Sequence, residues 1–398
     1  MPLGLYLSVP FCRSKCSYCN FASDVFSRTV FERYVERVVS DINHASETAQ
    51  QTGGRFEPTA DSIFLGGGTP TILDISQLDR LFVTISQKFT VQRDAEVTVE
   101  CAPGTLSPAM IGAFHRWGVN RVSLGVQSFV DGEAASVGRL HNRSVVLDDI
   151  ARLRAAGIED INIDLIAGLP HQTAESWSFS LAAVLASGVP HVSVYMLEVD
   201  DDSRLGRELI AGGARYHAHF VPDEDLTADM YESACERLNA AGVGQYEISN
   251  FARGGHESRH NLKYWTRQPY MGFGVDAHSM LHGSAPAGES VRFCTPDMLE
   301  EYIADAPLHR MPVSPQATLE EAFFLGLRLS RGVDLKKIAS EFGEAVVEAL
   351  SGTILGCAEL GLLERQGDSI RLTGRGRLLS NEVFERFILM DNVGSPRC

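Results

Sequence analysis

No stretch of this 398-residue chain approaches the ~20 consecutive apolar residues that a membrane-spanning helix needs. Basic residues are scarce: 35 Lys and Arg stand against 51 Asp and Glu, for a formal charge of −16. Affinity for nucleic acid comes from clustered cationic charge, so no nucleic-acid partner is expected. The opening Met1-Pro-Leu-Gly-Leu-Tyr-Leu-Ser-Val-Pro10 lacks the basic region of a secretory signal, and a cytoplasmic location is expected. Low-complexity segments and internal repeats are missing as well, apart from an alternation of strands and helices. Cysteine is sparse at 8 residues, and its distribution is not that of a disulfide framework. Three cysteines fall between positions 12 and 19, while the other five are scattered. In a cytosolic chain that grouping points to a metal or redox centre.

What is present is an alternation of short β-branched runs and amphipathic stretches. Leu3–Val9, Ser62–Leu65, Glu96–Glu100, Arg121–Val126, Ile161–Ile166 and His191–Leu197 read as strands. Between and after them, Val146, Ile150 and Leu153 share a helical face, as do Trp177, Leu181, Val184 and Leu185, and then Leu226, Met230, Ala234 and Leu238. Six β-then-α units predict an α/β fold with a parallel sheet curled into a full or partial barrel, whose chemistry collects beyond the strands' C-terminal ends. Beyond Gly242 the pattern loosens into glycine-rich loops carrying His256, His260 and Trp265, and Gly283–Gly288 reads as a surface loop. Helices are expected over Leu319–Leu329, Leu335–Phe342 and Ala345–Leu360, then a hairpin around Gly367 and a last helix from Gly376 to Met390. That succession resembles a winged helix; in so acidic a chain it reads as packing rather than DNA contact. The expected division is a core over 1–240, an extension over 241–305 and a helical C-terminal domain over 306–398.

The decisive motif is Cys12-Arg-Ser-Lys-Cys16-Ser-Tyr-Cys19, directly after the first expected strand. Three thiolates on one tight loop can hold three irons of a [4Fe–4S] cube and leave the fourth open. Structural zinc, the plainer alternative, wants four closed ligands, and no fourth Cys or His lies in the loop. With Gly66-Gly67-Gly68-Thr69-Pro70 after the second strand, the sequence resembles the radical S-adenosylmethionine (SAM) superfamily. The resemblance implies a partial (β/α)6 barrel, a [4Fe–4S] cluster on Cys12, Cys16 and Cys19, and bound SAM. It also places Tyr6, Gly67, Gly68, Thr69, Glu100, Gln127, Arg139 and Asp164 at SAM contacts. Physically, Arg139 suits a carboxylate, Gln127 and Asp164 suit ribose hydroxyls, and Glu100 suits an amino group. Taken singly, each has an ordinary reading as an ion pair or a strand-end cap.

Within the superfamily, Gly125-Val-Gln-Ser-Phe129, Asp164-Leu-Ile-Ala-Gly-Leu-Pro170 and Gly272-Phe-Gly-Val-Asp-Ala-His-Ser279 resemble the branch of oxygen-independent coproporphyrinogen III dehydrogenase. That enzyme carries a fourth Cys where this chain has Phe21, and a long segment ahead of the first strand. The HemW-type heme chaperones lack both and carry His-Asn-x-x-Tyr-Trp, here His260-Asn261-Leu262-Lys263-Tyr264-Trp265. This second resemblance implies a carrier that binds heme and delivers it to apo-hemoproteins, membrane respiratory proteins among the acceptors. His260 is its expected heme ligand, with His256 and His278 as substitutes, and a homodimer is left open. A coproporphyrinogen oxidase-like radical enzyme is the alternative. The Gly254-Gly255 lead-in puts His260 on a mobile loop in this reading. The same glycines disfavour the helix that the metalloprotease pattern His256-Glu257-Ser258-Arg259-His260 would require. His217 and His219 read as loop residues, and Glu198, Asp200, Asp201 and Asp202 as a solvated loop.

Overall fold

The computed structural model describes residues 1–283 and 290–388, so most of the expected loop at Gly283–Gly288 and the end of the expected helix at Met390 lie outside the described residues. Each of the six expected strands forms: β1 (Leu3–Val9), β2 (Thr59–Gly67), β3 (Thr90–Cys101), β4 (Arg121–Gln127), β5 (Asp160–Ala167) and β6 (His191–Met196). They pair parallel in chain order. The crossovers between them carry the helices that such pairing requires. Alternate side chains explain why the sheet curls. Leu3, Leu5, Leu7 and Val9 turn outward under the helices and are fully buried. The intervening Gly4, Tyr6 and Ser8 turn inward. The helical stripes pack as read, with Val146, Ile150, Leu153, Trp177, Leu181, Val184, Met230, Ala234 and Leu238 all in the main core.

The segment after Gly242 departs from the expected loops. It extends the sheet at both edges, giving twelve strands. On one side β7 (Gly244–Gln245) and β8 (Asn250–Ala252) follow β6, with β8 antiparallel to it. On the other, β9 (Tyr270–Gly274) pairs parallel with β1, and β10 (His278–His282), β11 (Ser290–Cys294) and β12 (His309–Val313) continue antiparallel. Strands of two to five residues are too short to show a period.

His260 is also placed differently from the expectation. It lies on a helix, Arg259–Trp265, and is 1% exposed. The helix forms despite the glycines because its first turn is capped twice. Ser258 Oγ accepts from the Asn261 N–H, and the buried Glu96 carboxylate accepts from the N–H groups of Arg259 and His260 at 3.0 and 2.9 Å. Gly254 and Gly255 stay in the turn outside it. His256 is outside as well, with Nδ1 on Asp160, so the two histidines of the protease pattern do not share a helical face.

The C-terminal region has its own core, in which Phe323 stacks on Phe387 with centroids 4.8 Å apart. Helices Pro315–Arg328, Leu335–Phe342 and Glu344–Glu359 lead into β14 (Leu363–Gln366) and β15 (Ser369–Leu372), with the short β13 (Val333–Asp334) completing a winged-helix-like sheet. The expected last helix is two short ones, Gly374–Leu378 and Ser380–Glu385. This region grips the helix bearing His260: the Arg328 guanidinium lies 4.3 Å from the Trp265 ring centroid and 3.4 Å from Glu247. No helix among the described residues is long and apolar enough to cross a membrane.

Candidate cofactor and metal site

A cavity of about 760 Å³ runs through the barrel. At its upper end, beyond the strands' C-termini, sits the loop of Cys12, Cys16 and Cys19. That loop is pinned by backbone: the Cys12 N–H donates to Asp24, the Ser17 N–H to Val137, and the Leu205 N–H to Ser17. Gly68 makes the closest approach. A Cβ there would lie 2.7 Å from the Phe11 carbonyl and 3.1 Å from Cys12 Sγ, so no larger residue fits. The glycine run therefore seats the cysteine loop as well as leaving room for a ligand.

Burial, then the neighbouring thiols, pushes the Cys12 thiol up; burial also raises Cys19. A bound cation reverses that balance, since a thiol on a metal is deprotonated. Arg139 Nη1 stands 3.6 Å from Cys16 Sγ, and Nη2 donates to the Gly125 carbonyl. The guanidinium thus already serves the cysteine loop. Phe21, two residues past the third cysteine, is 65% exposed at the cavity mouth.

The walls hold the other expected residues together. Tyr6, Gly67, Gly68, Thr69, Glu100, Gln127, Arg139 and Asp164 all line the cavity, as do the three cysteines. Gln127 holds a left-handed backbone with φ 68°, and its Oε1 is buried without a hydrogen-bond partner. An orphaned acceptor on a cavity wall fits a ligand hydroxyl. Asp164 accepts from Ser123 Oγ at 3.0 Å and Asn162 Nδ2 at 2.7 Å, and burial raises its carboxyl. Glu100 is raised to about 8, by burial first and then by the nearby Asp164 charge. The donor set, the glycine cradle and the unpaired acceptor together suit a [4Fe–4S] cluster and SAM.

The raised Glu100 makes a prediction about pH. An unfolded Glu loses its proton near 4.3, whereas the folded one keeps it to about 8. Between those values the native state binds the extra proton, so stability declines as pH rises and levels off above about 8. Glu100→Gln should flatten this contribution in denaturant midpoints measured from pH 5 to 9. An unchanged slope would mean that Glu100 is already ionised in the folded protein.

Several cavity residues escape motif reading. Thr98 on β3, Ser123 on β4, Asn162 on β5, and His191, Ser193 and Tyr195 on β6 face inward beside the expected Glu100, Gln127 and Asp164. Their signal is polar alternation at period two, the reverse of the usual apolar-in pattern. Ser193 Oγ and His191 Nδ1 both meet Asn162 Oδ1, at 3.2 and 2.6 Å, and His191 Nε2 meets the Tyr246 hydroxyl at 2.9 Å. His260 closes the floor at the opposite end from the cysteines. Its Nδ1 lies 2.9 Å from Ser62 Oγ and its Nε2 2.8 Å from the Tyr264 hydroxyl. Burial, then Lys263, pushes its pKa down to about 3, so the ring is neutral. His278 is half-exposed beside Asp276, at 3.5 Å.

Comparison with known proteins agrees with this architecture. The Radical SAM superfamily pattern matches residues 6–184, and the HemN C-terminal domain pattern matches residues 313–379. The chain is 34% identical to the heme chaperone HemW of Bacillus subtilis over 96% of this chain and 98% of that protein. It is 33% identical to the heme chaperone HemW of Lactococcus lactis over 98% of each. Among solved structures, coproporphyrinogen III oxidase (HemN) from Escherichia coli shares the fold with a TM-score of 0.82. The identity is 23%, covering 97% of this chain and 90% of that one.

Proposed function

The chain belongs to the HemW family of radical SAM proteins, and from that premise we propose that it binds heme and delivers it to apo-hemoproteins. The full-length kinship with heme chaperones carries this reading. The exposed Phe21 supports it, standing where the resemblance gives the oxidase a fourth cysteine. Cytoplasmic residence, respiratory membrane proteins among the acceptors and a homodimeric assembly complete the proposal.

Cys12, Cys16 and Cys19 are the cluster ligands in this reading. A bound [4Fe–4S] cluster supplies an iron without a protein ligand, where SAM can attach. With SAM bound, Glu100 would hold its amino group and Arg139 its carboxylate, while Gln127 and Asp164 would take the ribose hydroxyls. Tyr6, Gly67, Gly68 and Thr69 shape the remaining wall. His260 can reach a heme iron only if Tyr264 gives up its Nε2, because both ring nitrogens are engaged.

The test is made on anaerobically reconstituted protein. Hemin should bind stoichiometrically and pass to an added apo-hemoprotein, and coproporphyrinogen III should yield no vinyl product. Decarboxylation of its propionates at catalytic rates would establish the oxidase alternative instead.

A further inference from the structure

His171 and His217 form the only imidazole–imidazole pair among the described residues. His171 follows β5 and the Gly168-Leu-Pro170 turn; His217 precedes the single 3₁₀ turn Ala218–Phe220 in the segment after β6. Both stand at the same end of the barrel as the cysteine loop. Both also hold left-handed backbone, with φ 67° and 62°, which a residue with a side chain rarely adopts. A closed set of bonds fixes them there. The His171 N–H donates to the Phe220 carbonyl and the Phe220 N–H to the His217 carbonyl, each at 2.9 Å. His171 Nε2 then lies 3.0 Å from His217 Nδ1, and the Phe220 ring stacks on His171 with centroids 4.2 Å apart.

One N–H···N bond uses one proton. In the neutral pair one outward nitrogen, His171 Nδ1 or His217 Nε2, therefore keeps a free lone pair. When His217 is the donor, its Nε2 is that base, and an imidazole donating its other N–H is a stronger metal ligand. Apolar side chains are exposed in the same segment: Phe220, whose ring centroid lies 6.2 Å from that of His217, is 57% exposed, and Leu209 and Ile210 on the preceding helix Arg204–Ala211 are 49% and 68% exposed. Arg215 supplies a cation in the same segment, its guanidinium 5.4 Å from the Tyr216 ring. An iron ligand, a flat apolar face and a group for carboxylates are what an iron porphyrin requires.

We propose that His217, held by His171, ligates the iron of a heme docked on this exposed face. The proposal rests on the heme-carrying reading above. It differs from ligation at His260, which is buried and bonded at both nitrogens.

The experiment titrates hemin into the full-length, cluster-loaded protein and reads the Soret band and the electron paramagnetic resonance of the ferric iron. His217→Gly relieves its own backbone strain, so the variant should fold. It should lose the imidazole-ligated signature, and free imidazole should restore it. His171→Ala should weaken hemin about 10–100-fold and raise the heme potential, the effect of losing an outer hydrogen bond to a ligating imidazole. Hemin lost by His260→Ala but kept by His217→Gly would place the ligand on the barrel floor and overturn the assignment. Wild-type spectra and affinity in His217→Gly overturn the assignment. Failure of the wild type itself to bind hemin removes the heme reading, and this site with it.

Discussion

Cys16→Ser protein is expected to emerge from anaerobic reconstitution with almost no iron and no iron–sulfur absorbance, while keeping its fold. Cys12, Cys16 and Cys19 share one loop, and Gly68 leaves no space for that loop to rearrange around a replacement ligand. A hydroxyl is a poor substitute for a thiolate on iron, so two remaining sulfurs should not retain a cube. Cys101 provides the control. It is buried and also borders the cavity, yet it lies on β3 and its Sγ is 3.7 Å from the Val99 carbonyl. Cys101→Ser should keep full iron content. Iron retained by Cys16→Ser, or stoichiometric zinc with no iron in the wild type, would show that the loop is a different kind of metal site.

The largest effect on stability is expected at Glu96. Its carboxylate, 7% exposed, accepts from Ser258 Oγ and from two backbone N–H groups of the helix bearing His260. It also faces the buried Arg121 guanidinium at 3.9 Å. Glu96→Ala strands those donors and leaves a buried cation without its counter-charge, a loss of about 3–5 kcal/mol. Glu96→Gln keeps an acceptor oxygen and should fall between the two. Urea midpoints measure the total, and amide hydrogen exchange over 259–265 shows whether this helix opens first. A midpoint within error of wild type would mean that the helix is held by other contacts.

These two sites differ in how visible they are in the sequence. The cysteine loop is contiguous, so spacing alone exposes it, and the strand-end residues Glu100, Gln127, Arg139 and Asp164 follow from motif and position. Glu96 and Ser62 meet the helix of His260 across more than a hundred residues of chain. No local pattern records such a cap, which is why Gly254 and Gly255 suggest a loop where a helix stands. The strands β7 to β12 were hidden for a different reason: each is too short to display alternation, and only pairing with a formed neighbour defines it. The inward polar register of β3 to β6 was legible in principle. It calls for reading polar residues, rather than apolar ones, at period two.

The pairing of β9 with β1 has a consequence for synthesis on the ribosome. β1 emerges well ahead of β9, so one of its two edges stays open until Tyr270–Gly274 follows. At about 5–20 residues per second, the intervening stretch of roughly 260 residues takes about 13–50 s. Through that interval Leu3-Gly-Leu-Tyr-Leu-Ser-Val9, with every leucine destined for the core, offers an unpaired apolar edge to other nascent chains. Slow translation past the cysteine loop lengthens this exposure, and holdase binding to β1 shortens it. Yield of soluble protein should therefore depend on the pace of elongation between β1 and β9 more than on the stability of the finished barrel.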